Sequence, residues 1–274
     1  MTSKKLAVLG AGWLGLPLVG YLIDQGYSLT ASYRRREVRN ALTAAGADPF
    51  LLDLPVDRSV LESFLHQVEV LVVTLPPRGR ALGEAAPANY LSTLGPLRGL
   101  LSGIHVIFTS STGVYGGQVQ GEVTEETRPL PDTHSGRAVM AAEEWLDDQT
   151  DRLTVLRLAG LFGPDRDPTN FFRNAEAISR AEAPVNLVHR DDVLTAIRLV
   201  ISTGATGIYN LSAVTHPSKG DFYGSLLRAA GCSAKAYLPG GATDKQINSA
   251  KIRALGWEPC YDDLTVYSKS NTAG

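Results

Sequence analysis

Residues 6–26 read LAVLGAGWLGLPLVGYLIDQG, and the fold follows from how this stretch is divided. Leu6–Leu9 is a short apolar run without alternation, the pattern of a strand covered on both faces. Gly10, Gly12 and Gly15 then form G-x-G-x-x-G around Trp13 and Leu14. An amphipathic helix pattern over Leu14–Gln25 stops at Gly26. In that setting Gly10 allows the tight turn, Gly12 lets a pyrophosphate approach the backbone, and Gly15 lets helix and strand pack closely. The N–H groups at the helix start receive the negative charge. The competing reading of the same glycines is a purely structural turn.

Outward from this unit the rhythm repeats. Further strands are expected at Ser28–Ser32, Pro49–Leu52, Val70–Thr74, His105–Thr109, Thr154–Leu158 and Gly207–Leu211. Helices are expected at Arg35–Ala45, Ser59–Gln67, Asn89–Leu101, Arg137–Gln149 and Asp192–Ser202. Alternating strands and helices predict an α/β fold, a doubly wound parallel sheet. After residue 160 the rhythm changes. One helix-like piece, Asn170–Arg180, precedes loop, and two more patterns, Gly220–Ala230 and Lys245–Leu255, flank the apolar AKAYL. These predict a small C-terminal substrate lobe of residues 161–185 and 213–274, beside a dinucleotide-binding domain of residues 1–160 and 186–212. The tail SKSNTAG is expected to fray.

The bulk properties exclude several classes. The 274 residues are 44% hydrophobic and 20% charged, which is ordinary globular composition. A net charge of −2 argues against nucleic-acid and basic membrane-surface binding. Glycines interrupt the N-terminal apolar run, so it reads as a strand and turn rather than a signal peptide. No apolar run approaches the roughly 18–20 residues needed to span a membrane. Cys232 and Cys260 have no metal-ligand spacing and read as reduced thiols of a cytoplasmic protein. A monomer or homodimer acting on a small molecule, with no metal, is expected.

The second strand bears on cofactor choice. An NAD site usually places Asp or Glu at its end, on the ribose 2′-hydroxyl. Here Ser32 and Tyr33 occupy that position and Arg34, Arg35 and Arg36 follow, so NADP(H) is favoured over NAD(H). Glu37 lies beyond the arginines as the one residue that could restore NAD. Asp53 reads equally as an adenine contact or a turn residue. Thr74, Leu75 and Pro76 would pass beside the cofactor, and Asn89 reads as a helix cap.

With the glycine turn, FTSSTGVYGG, VLRLAGLFGP, VNLVHRDDV and GIYNLS occur in order along nearly the whole chain. Together they resemble the extended short-chain dehydrogenase/reductase superfamily, the NAD-dependent epimerase/dehydratase group, and within it the short atypical YeeZ-like members. The resemblance implies a Rossmann sheet, a C-terminal substrate cleft and chemistry by Ser/Thr, Tyr and Lys. The family's serine falls on Ser111, with Thr112 beside it. Its tyrosine and lysine positions fall on Ser135 and Val139, so both usual residues are absent. His134 is the first substitute proton donor, since imidazole titrates near neutrality; Arg137 could replace the lysine's charge. Tyr115, Arg157, His189 and Arg190 are further candidates to contact substrate, with structural roles as the alternative for His189 and Arg157. Asp192 most simply caps the following helix. The leading function is an NADP(H)-dependent oxidoreductase acting on a small carbonyl, alcohol or imine. A nucleotide-sugar epimerase or dehydratase and a non-catalytic NADP-binding sensor are the alternatives.

Overall fold

The computed structural model describes residues 4–270. In chain order the first elements are β1 (Leu6–Leu9), α1 (Gly15–Asp24), β2 (Leu29–Tyr33), α2 (Arg36–Ala44), β3 (Asp48–Leu51), α3 (Arg58–Phe64) and β4 (Val70–Val73). Then come α4 (Gly79–Leu82), α5 (Ala86–Leu94), β5 (His105–Ser111), β6 (Glu122–Val123), α6 (His134–Asp147), β7 (Leu153–Leu158) and β8 (Gly160–Phe162). The chain continues through β9 (Ala177–Ile178), β10 (Leu187–His189), α7 (Arg190–Thr203), β11 (Gly207–Leu211) and α8 (Lys219–Ala229). It closes with β12 (Ala236–Tyr237), β13 (Gln246–Ile247), α9 (Ala250–Ala254) and α10 (Leu264–Ser270).

Seven strands form the parallel sheet, in the order β11-β7-β5-β4-β1-β2-β3. The order runs outward from β1 to β3, then restarts at β4 on the other side of β1. The reversal point therefore lies between β1 and β4, where such sheets bind ligands. β1 and β4 are buried along their whole length, as their unbroken Val, Leu and Ala runs require. All seven expected strands are present in this doubly wound α/β fold, within one or two residues at each end.

The chain divides into two compact units. The first comprises Met1–Val114, Pro129–Arg157 and Ile197–Ile208, and holds the glycine turn and β1 to β5. The second comprises Tyr115–Arg128, Leu158–Ala196 and Tyr209–Gly274. Residues 115–128, 158–160, 186–196 and 209–212, expected in the dinucleotide-binding domain, cluster with the second unit. The second unit has its own apolar core around Phe162, Ile178, Leu187, Phe222, Leu226 and Leu264.

Several expected elements need correction. Asn170–Arg180 is not a helix. A single 3-10 turn starts at Pro168, with Asp167 accepting from the Thr169 N–H, and the chain then pairs β9 with β12. Lys245–Leu255 is likewise split. Asn186 accepts from the Ile247 N–H, β13 pairs with β6, and Asn248 accepts from the Ala250 N–H before α9 begins. Asn89 is no cap, because Pro87 starts its helix earlier. Asp192 does not cap α7 either; its buried carboxylate accepts from the N–H groups of Cys260 and Tyr261. The tail expected to fray continues α10 through Ser270, and its last four residues lie outside the described residues.

Candidate functional site

The glycine turn is built by contacts that admit no larger residue at two of its three glycines. Gly10 has φ +109°, and a Cβ there would meet the Leu75 side chain at 3.0 Å. A Cβ on Gly15 would collide with the Gly10 carbonyl. The turn is tied on both sides. Gly10 N–H donates to Ser32 Oγ (2.8 Å) and Ala11 N–H to the Ser32 carbonyl (3.0 Å). Thr74 Oγ1 donates to the Gly10 carbonyl at 2.6 Å. Gly12 differs: it is exposed, and nothing lies within 4 Å of where its Cβ would stand. No side chain caps α1; at its start the Leu16 N–H donates to the Gly12 carbonyl at 3.0 Å, and Pro17 has no N–H to satisfy.

A cleft of about 220 Å³ opens over this turn. Gly10 and Gly12 form its floor. Tyr33, Arg34 and Arg35 line the β2 side with Asp53, and Thr74, Leu75 and Pro76 line the β4 side. Arg34 Nη1 stands 3.5 Å from Asp53 Oδ1, an exposed pair. Glu37 is exposed on α2 and does not line the cleft. Trp13, Leu14 and Gly15, expected to contact the cofactor, do not line it either; Leu14 and Gly15 are buried at the start of α1.

Tyr90 and Arg78 are among the lining residues that the sequence reading did not assign to the cleft. Tyr90 is buried and its hydroxyl donates to the Leu75 carbonyl at 2.6 Å, which fixes the β4 side; burial pushes this phenol well above its usual pKa. Arg78, exposed and in a left-handed conformation at φ +53°, also faces the cleft. Its signal was an arginine directly after two prolines at a strand end.

The hydroxyl-rich turn after β5 is also in the first unit as far as Val114. Ser111 is half-buried, and its Oγ accepts from the Gly113 N–H at 3.0 Å. Thr112 is buried. Ser110 donates to Glu143, which is itself buried and ion-paired with Arg157 at 2.7 Å. The start of α6 presses against this turn: a Cβ on Gly136 would lie 2.6 Å from the Gly113 carbonyl. Thr133 caps α6 by accepting from the Gly136 N–H at 3.0 Å, so His134 is the first residue of the helix.

His134 and Arg137 hold each other, since Arg137 Nη2 donates to His134 Nδ1 at 2.9 Å. Ser135 is wedged against Gly79, where any Cβ would collide with it. Val139 is buried. The structure thus brings Ser111 and the start of α6 together, but puts no phenol or ammonium at the two helical positions.

Three of the expected substrate contacts are buried and have partners within the protein. Arg157 is 2% exposed and bidentate to Glu143. Tyr115 is wholly buried in the second unit, its hydroxyl donating to Asn210 Oδ1 at 2.8 Å. His189 is 4% exposed, stacks on Tyr261, and accepts the Asp191 N–H on Nδ1; burial lowers its pKa. Arg190 is half-buried and contacts Asp191 at 3.1 Å. Among the described residues no group of three His, Cys, Asp or Glu is placed to hold a metal, and no helix is long and apolar enough to cross a membrane.

Residues 99–194 match the family described as RmlD substrate binding domain. A Methylobacillus flagellatus structure, described as a candidate NAD-dependent epimerase/dehydratase, is 26% identical with TM-score 0.75, covering 100% of this chain and 98% of that one. UDP-glucuronic acid 4-epimerase from Bacillus cereus, solved in complex with NAD, shares the fold at TM-score 0.73 and 16% identity, covering 98% of this chain and 100% of that one. The doubly wound sheet is that of the NAD-dependent epimerase/dehydratase superfamily, the resemblance that the motifs carried. Protein YeeZ of Escherichia coli K12 is 37% identical over 276 residues, covering 96% of this chain and 98% of that protein, and the chain belongs to the YeeZ family.

Proposed function

We propose that this protein is an NADP(H)-dependent oxidoreductase acting on a small carbonyl, alcohol or imine. The observation that carries the cofactor choice is the β2 end of the cleft. Ser32, at the position where an acid would hold a ribose 2′-hydroxyl, instead accepts from Gly10 and secures the turn. Arg34 and Arg35 line the cleft just beyond it, and a guanidinium suits a phosphate dianion. The open space at Gly12 and the uncapped start of α1 fit a pyrophosphate. Bound there, the nicotinamide would supply or take the hydride.

On the protein side, Ser111 would orient the reacting oxygen or nitrogen with its hydroxyl. His134 would move the proton through Nε2, with Arg137 fixing its ring through Nδ1. A cytoplasmic location suits the cofactor. One observation favours a second reading, a protein that binds NADP(H) without turnover: Ser135 is wedged and Val139 buried where the usual acid and lysine would act.

Calorimetric titration with NADPH and NADH tests the cofactor choice. NADPH should bind at least about 10-fold tighter, and Arg34→Ala should remove that preference while leaving NADH almost untouched. Equal affinity for both nucleotides would overturn it. NADPH consumption over a carbonyl and imine panel tests the reaction. Tight binding with no turnover would select the second reading, and loss of turnover in Ser111→Ala with binding intact would exclude it.

A further inference from the structure

We propose that Arg78 is a second phosphate-binding arginine of the cleft, which holds the dinucleotide's pyrophosphate from the β4 side. This rests on the reading of the cleft as a dinucleotide site, and adds a residue that the glycine motif does not contain.

The first observation is position. In the sheet β1 lies between β2 and β4, so the glycine turn is flanked by Arg34 and Arg35 on one side and by Thr74–Arg78 on the other. The β2 arginines stand where a 2′-phosphate would sit. A cation at the end of β4 is two strand spacings from them and one from the glycine turn, and the phosphate carried over the glycine turn itself is the pyrophosphate.

The second observation is conformational cost. Arg78 has φ +53°, a region that only glycine and, less readily, asparagine enter cheaply. The next residue shows why the backbone must turn here: Gly79 is buried against Ser135 with no room for a Cβ. A glycine at position 78 would make this turn at lower cost but would bring no charge.

The third observation is availability. Among the described residues no ion pair or side-chain hydrogen bond of Arg78 is found, and this exposed residue lines the cleft. Arg34, by contrast, is partly neutralised by Asp53. Tyr90 anchors the Leu75 carbonyl three residues earlier, so the segment that carries Arg78 is held in place.

The test compares the full-length wild type with Arg78→Ala, Arg78→Gly and Arg34→Ala by calorimetric titration with NADPH, NADH and adenosine 2′-monophosphate. Both Arg78 variants should bind NADPH and NADH about 10-fold more weakly or worse, by similar factors. Adenosine 2′-monophosphate, which has no pyrophosphate, should bind them as it binds wild type. Arg34→Ala should show the opposite pattern, losing NADPH and adenosine 2′-monophosphate but keeping NADH. Arg78→Gly should melt no lower than wild type without nucleotide, which separates lost binding from lost folding. Unchanged NADH affinity in both Arg78 variants would overturn the assignment, as would a loss confined to NADPH. If wild type binds neither dinucleotide, the proposed function fails first.

Discussion

Gly12 and Gly15 are three positions apart and do different jobs, which makes them the sharpest residue-scale test of the cleft. A methyl group on Gly15 runs into the Gly10 carbonyl, so Gly15→Ala must push α1 away from β1. Overpacking of this kind costs roughly 1–3 kcal/mol, visible as a lowered urea midpoint. Gly12→Ala meets no protein atom, so its urea midpoint should match wild type while NADPH binding falls sharply. A Gly12→Ala protein that binds NADPH normally would remove the pyrophosphate from this turn. At this scale the sequence was most legible where packing forces the backbone: Gly10 and Gly15 could be named from spacing alone. It was least legible for Arg78, whose place in the cleft depends on how Gly79 packs against a helix more than fifty residues later. Arg157, Tyr115 and His189 looked like substrate contacts because polar groups near a sheet edge resemble ligands. Each instead has buried polar or aromatic partners far from it in sequence.

At the scale of elements, α6 is fastened to the sheet through a polar contact that composition does not reveal. Glu143 on α6 accepts from Ser110 at the end of β5 and is ion-paired with Arg157 on β7, and all three side chains are buried. Removing one partner leaves a charge without compensation in a dry interior. Glu143→Ala should therefore destabilise by about 3–5 kcal/mol, whereas Glu143→Leu combined with Arg157→Met should recover most of that loss. Urea unfolding of the single and double variants decides it; a double variant as unstable as Glu143→Ala would mean that Ser110, rather than Arg157, carries the stability. The elements themselves were legible wherever periodicity was long, as in the sheet strands and α7. They were misread where short-range polar groups override it. Asn248 and Asn186 fold a helix-like stretch into a strand and a turn, and Pro168 with Asp167 stops another at a single turn.

For the molecule as a whole, the buried histidines set how stability responds to acid. Thr154 Oγ1 donates to the Ala205 carbonyl, so it accepts from His105 Nε2–H at 2.7 Å. The other ring nitrogen, Nδ1, is buried with no partner among the described residues. Protonating it would bury a charge, with Arg152 and Lys4 nearby, and the pKa is pushed down to about 4. Burial lowers His189 and His216 as well. The sign is set by the unfolded chain, in which an imidazole takes its proton near pH 6.5 while the folded protein declines it. Stability is therefore full above that pH and falls as pH drops toward the folded values. Asp192, raised by burial, works in the opposite direction. For His105 alone the loss between about pH 7.5 and pH 5 is about 2 kcal/mol. His105→Gln keeps an N–H for Thr154 and removes the titration. Its unfolding free energy should fall less over that interval, by about the same 2 kcal/mol. Urea unfolding at both pH values measures this directly. Parallel pH dependence in wild type and His105→Gln would show that the ring is charged or solvated in the folded protein, contrary to the geometry around Nδ1.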